Sequence, residues 1–60
     1  MSKQQELALA KAWFKSRGIS ASITDEDLYI NVESYEVMVS SAEVSYRAEL
    51  RKEELPAYQD

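Results

Sequence analysis

Cysteine and histidine are both missing from this chain. Without cysteine there can be no disulfide and no thiolate zinc site, two devices that stabilise many small domains. Without histidine the chain lacks the commonest ligand of zinc, copper and iron, and also the usual activator of a serine nucleophile. We therefore predict that the protein binds no metal, needs no cofactor and is not an enzyme.

Glycine, proline and long apolar runs are also scarce. The single glycine, Gly18, excludes a glycine-rich phosphate loop. No apolar run approaches the roughly 18 residues that a membrane span needs. The opening residues are too polar for a secretory signal, so we expect a soluble, cytoplasmic protein without membrane contact.

Positive charge is in deficit, with 7 Lys and Arg against 11 Asp and Glu and a net charge of −4. Nucleic acid and anionic lipid both select a basic surface, so we expect neither as a partner and predict a protein partner instead. The acidic run Asp25-Glu26-Asp27 lacks the glycine and the ligand spacing of an EF-hand, and we interpret it as a solvated hairpin tip.

The length of 60 residues predicts one small domain covering positions 1–60. A chain of this size buries only about 60% of the surface that it exposes when unfolded, so its stability is marginal. Packing, a partner or self-association must supply what disulfides and metals cannot.

The middle of the chain alternates apolar and polar residues, which is the pattern of strands with one buried face. Folding it as two antiparallel hairpins gives six predicted pairs. The first hairpin pairs Ile23 with Leu28, Ala21 with Ile30 and Ile19 with Val32; the second pairs Val32 with Tyr35, Ile30 with Val37 and Leu28 with Val39. One register serves both hairpins and brings nine apolar residues to one face, namely Ile19, Ala21, Ile23, Leu28, Ile30, Val32, Tyr35, Val37 and Val39.

The two hairpin turns differ in their sequence signals. Residues 24–27 predict a four-residue first loop, whose aspartates can bond their own backbone. The second turn, Glu33-Ser34, lacks the Asn-Gly or Gly signature that a two-residue hairpin loop prefers.

Helices are predicted on both sides of the strands. The first runs from Ser2 to Arg17, with Ser2 and Gln5 as a capping box and Gly18 as its left-handed stop. The second runs from about Ser41 to Glu54 behind Ser40, and ends before Pro56. Residues 56–60 are expected to form a frayed tail.

These elements predict an α+β fold in the order helix, three-stranded antiparallel meander, helix (α-β-β-β-α), with both helices on one face of the sheet. The alternative is α-β-β-α, because Tyr35, Val39, Ala42, Tyr46 and Leu50 also fit helical spacing and would allow one helix from Tyr35 to Glu54. The valines at positions 37, 39 and 44 favour a strand at the start of that segment.

Two families are similar to parts of this pattern. The element order resembles that of the double-stranded-RNA-binding domain, which places a lysine-rich motif at the start of its second helix. This chain has Ser41-Ala42-Glu43-Val44 there, so we expect no RNA binding. Under the two-strand alternative, the opening Ser2-Lys3-Gln4-Gln5-Glu6-Leu7-Ala8 resembles the first helix of small phage head–tail joining proteins, which also run helix, hairpin, helix. That resemblance implies a structural role in a phage particle.

The second helix carries two apolar stripes, more than one sheet face needs. One stripe is Ala42, Tyr46 and Leu50; the other is Val44, Ala48 and Leu55. We nominate Val44, Ala48 and Leu55 as a candidate interface, because small side chains allow close helix approach, with a homodimer as one outcome. Trp13 is open to two interpretations, a core anchor or a binding hot spot.

The sequence therefore predicts a small acidic protein–protein interaction module with an accessory or regulatory role and no catalysis. The alternative is a structural assembly subunit, such as a small phage particle protein.

Overall fold

The computed structural model describes residues 2–54 and begins with helix α1, Lys3–Ser16. The Ser2 side chain accepts the Gln5 backbone N–H, and the Gln5 side chain accepts the Ser2 backbone N–H, both at 3.2 Å. This reciprocal pair is the predicted capping box. Helix α1 therefore starts one residue later than predicted, because Ser2 is its N-cap and not its first helical residue.

Gly18 ends α1 as predicted. Its φ is +80°, a conformation in which other residues are strained. The Ile19 N–H donates to the Phe14 carbonyl at 2.9 Å, and the Gly18 N–H donates to the Lys15 carbonyl at 3.0 Å. These are the two hydrogen bonds of a Schellman motif, and they turn the chain from α1 into the sheet.

Three strands follow in an antiparallel sheet of order β1-β2-β3, with β1 at Ser20–Thr24, β2 at Asp27–Val32 and β3 at Tyr35–Val39. The pairs Ala21–Ile30, Ile23–Leu28, Leu28–Val39, Ile30–Val37 and Val32–Tyr35 lie in the predicted register. The α-β-β-β-α order is confirmed. The alternative prediction, a single long helix from Tyr35 to Glu54, is wrong, because residues 35–39 form a strand.

Two details of the sheet differ from the prediction. The first loop has two residues, Asp25 and Glu26, because Thr24 pairs with Asp27 and extends the ladder. Ile19 does not pair with Val32, because its backbone N–H is already bonded in the cap of α1 and β1 begins at Ser20.

Helix α2, Ser41–Glu54, has the predicted bounds. The Ser40 hydroxyl accepts the Glu43 backbone N–H at 3.2 Å and so caps the helix. Glu43 and Arg47, four residues apart on α2, form an ion pair. Leu55 and the predicted tail at 56–60 lie outside the described residues.

The core lies between the two helices and one face of the sheet. Its central cluster of buried residues is Leu7, Ala10 and Phe14 of α1, Leu28 of β2 and Val44 of α2, and Leu9 and Ala48 are buried as well. Half-buried apolar residues pack around them, namely Trp13, Ile19, Ala21, Ile30 and Val39. Helix α1 is central, because it packs on α2 and also on β1 and β2.

Candidate interaction surface

One corner of the apolar sheet face lies open. Val32 is 43% exposed, Tyr35 70% and Val37 46%, although all three belong to the face predicted to be buried. Val32 and Tyr35 are directly paired across the second hairpin, and Val37 follows Tyr35 on the same face. These three residues, which we name the open corner, form a contiguous apolar surface at the hairpin end of β3.

The expectation that all nine residues are buried is therefore wrong, and the reason is geometric. Neighbouring strands lie about 4.8 Å apart, and a helix with its side chains is about 10 Å across. Helix α1 sits over β1 and β2, and α2 packs mainly on α1. The far end of β3 therefore extends beyond the cover that the helices provide.

A groove of about 400 Å³ runs from the open corner towards α2. Its floor is apolar and its wall carries the ion pair of α2. The lining residues are Phe14, Ile30, Val37, Met38, Val39, Ser40, Glu43 and Arg47. Because the lining includes Met38 of β3, the strand at the border of the sheet, the groove reaches the free edge of β3.

Arg47 is held in place by aromatic rings as well as by Glu43. Its guanidinium carbon lies 4.2 Å from the ring centroid of Trp13 and 5.2 Å from that of Tyr46. Trp13 in turn meets Phe14 edge to face, at 5.3 Å between centroids. Cation–π contacts of this kind are attractive, and they place the arginine as a polar wall beside the apolar floor of the groove.

The structure separates the four nominated interface residues. Val44 is 5% exposed and Ala48 is fully buried, so both face the core. Leu55 lies outside the described residues. Trp13 is half-buried, packs on the core and lies under the guanidinium groups of Arg17 and Arg47.

Of the two apolar stripes of α2, the one that includes Tyr46 faces outward. Periodicity could find both stripes but could not tell which of them faces α1. That choice depends on where the first helix lies, which is a tertiary contact.

Residues 2–54 contain no group of three or more acidic residues placed to hold a metal ion. No helix in this part of the chain is long and apolar enough to cross a membrane. Comparison of the chain with protein-family models, with curated proteins and with solved structures finds no match.

Proposed function

We propose that this chain is a small protein–protein interaction module with an accessory or regulatory role and no catalytic activity. The observation that carries the proposal is the open corner together with the groove beside it. Contiguous exposed apolar surface, bordered by polar residues, is typical of a protein-binding site. Here the polar border is supplied by Glu43 and Arg47.

The charge and composition of the chain support the same proposal. The net charge of −4 opposes binding to phosphate backbones and to anionic lipid surfaces. The absence of histidine and cysteine removes the side chains that most often act as proton carriers, nucleophiles and metal ligands.

A structural assembly subunit is the second candidate. Strands β1 and β3 are both at borders of the sheet, so a copy could in principle be added at each side. Particle sizes in light scattering discriminate the two functions, because an assembly subunit gives large ordered particles and a module gives a complex of defined size.

The test immobilises a tagged copy of the chain and offers it purified untagged chain in one experiment and a lysate of the native host in another. We expect the unmodified chain to capture protein, and so should the control Ser20→Lys, which adds the same charge at exposed β1. Val37→Lys should capture none, because the new charge lies in the open corner. Equal capture by all three proteins, or capture by none, would overturn the proposal.

A further inference from the structure

The backbone groups of β3 divide into two sets. In a two-residue hairpin the pair that flanks the loop is hydrogen bonded, and bonded and non-bonded pairs then alternate. The Val32–Tyr35 pair flanks the loop, so Tyr35, Val37 and Val39 direct their N–H and C=O groups towards β2. Glu36 and Met38 therefore direct theirs away from the sheet, where they can pair with another strand.

The sequence of β3, Tyr-Glu-Val-Met-Val, contains no lysine, no proline and no inward-pointing charge, three of the protections that edge strands commonly carry. The single charged residue, Glu36, alternates with apolar neighbours and lies on the outward face. The other edge strand, β1, has three hydroxyl residues among its five and presents less apolar surface.

The pattern of β3 is complementary to itself in one antiparallel register. With a twofold axis at Val37, Val37 meets its own copy, Glu36 meets Met38 of the second copy, and Tyr35 meets Val39 of the second copy. An axis at Glu36 would place two carboxylates directly opposite each other, which is destabilising. An axis at Met38 would leave Tyr35 without a strand residue opposite it.

We propose that the occupant of the β3 edge is a second copy of this chain, paired antiparallel with the axis at Val37 into one six-stranded sheet. The inference rests on the proposed function, since it names the partner of the same surface. Directly opposite residues lie on the same face of an antiparallel sheet. Tyr35 of each copy is thus placed beside Val39, which lines the groove of the other copy.

This pairing accounts for three separate observations. It covers the exposed Tyr35 ring, it fills a groove whose floor is apolar, and it satisfies the outward backbone groups of Glu36 and Met38. The groove wall also offers the Glu43 carboxylate and the Arg47 guanidinium to the incoming phenol, which can both donate and accept a hydrogen bond.

The first test is amide hydrogen exchange on the unmodified protein from about 1 μM to 1 mM, a range that covers weak self-association, alongside sedimentation equilibrium. We expect a dimer and a protection of the Glu36 and Met38 amides that rises with concentration. The Ala21 and Ile23 amides, which point outward from β1, are the internal control and should not change. A monomer at 1 mM, open-ended growth, or no protection at positions 36 and 38 would overturn the proposal.

The second test uses two variants of one exposed position. Met38→Glu places a carboxylate opposite Glu36 of the second copy, twice by symmetry, and should weaken dimerisation by about tenfold or more. Met38→Lys places an ammonium there instead and should leave dimerisation equal or stronger. Circular dichroism checks that both variants are folded. Equal dissociation by both variants would overturn the proposed pairing.

The two proposals fail separately. If the purified chain stays monomeric while a lysate protein binds and is lost in Val37→Lys, the second copy is wrong as the occupant and the interaction surface stands. If the chain dimerises but Val37→Lys leaves the dimer intact, the pairing through β3 is wrong, and the interaction surface then depends on whether Val37→Lys loses capture of a lysate protein.

Discussion

Glu33 occupies a backbone conformation that residues with side chains seldom adopt. Its φ is 59°, and among the described residues other than glycine only Asp25 shares a positive φ. Both are the first residue of a two-residue hairpin loop, the position at which both primed turn types require positive φ. Aspartate tolerates this conformation better than glutamate does, so the strain is concentrated at Glu33.

Replacing Glu33 by glycine should therefore stabilise the protein. Relief of the left-handed conformation contributes about 1–2 kcal/mol, and the greater freedom of the unfolded chain offsets about 0.4–1 kcal/mol of it. The net gain in the free energy of unfolding, measured with urea, should be up to about 1.6 kcal/mol. Ser34→Gly is the control, because Ser34 has no such strain, and it should slightly destabilise. A loss with Glu33→Gly as large as with the control would contradict this explanation.

At the scale of single residues, the sequence predicts what depends on near neighbours in the chain. Ser2 with Gln5, Ser40 before α2, and Gly18 after α1 were all identified from type and spacing, because each cap is made within six residues. The left-handed Glu33 could not be identified in this way. Its conformation is imposed by the pairing of the strands on either side, not by its own preference.

Helix α2 shows how an element acquires one inner and one outer face. Val44 is buried against α1, whereas Tyr46, two residues later, is 56% exposed. Positions two apart lie on different sides of a helix. The same substitution at these two positions therefore compares a buried environment with an exposed one in a single helix.

Val44→Glu should unfold the protein, while Tyr46→Glu should leave it folded. An unpaired carboxylate among Leu7, Ala10 and Leu28 costs several kcal/mol, comparable to the whole stability of a small domain. Thermal unfolding followed by circular dichroism is the measurement. A folded Val44→Glu protein that has merely become monomeric would show that this position is an interface and not core.

At the scale of elements, the register was the most predictable feature. Two hairpins had to agree on one alignment of Leu28, Ile30 and Val32, and a slip of one residue would reverse the faces. How much of that face the two helices cover was not predictable. Alternation shows which residues share a face, but the extent of burial depends on where α1 and α2 come to lie.

The whole molecule carries a net charge of −4, and its effect on a partner depends on the charge of that partner. Two copies of one acidic chain repel each other at long range, even where their contact surface is apolar. The sequence predicts the net charge directly, because that charge is a count of acidic and basic residues. It did not predict the surface through which two copies would meet, because β3 becomes an open edge only in the folded sheet.

Self-association through β3 should therefore strengthen as salt is added. The screening length falls from about 30 Å at 0.01 M to about 10 Å at 0.1 M, which removes the repulsion between the two acidic copies and leaves the apolar contact of Val37 and Tyr35. Sedimentation equilibrium at these two ionic strengths measures the dimer constant. Met38→Lys is the comparison, because its two Glu36–Lys pairs are attractive and lose strength in salt, so its dependence should be weaker or reversed. A dimer of the unmodified chain that dissociates as salt rises would mean that ion pairs hold it together, and an interface built on the β3 edge contains none.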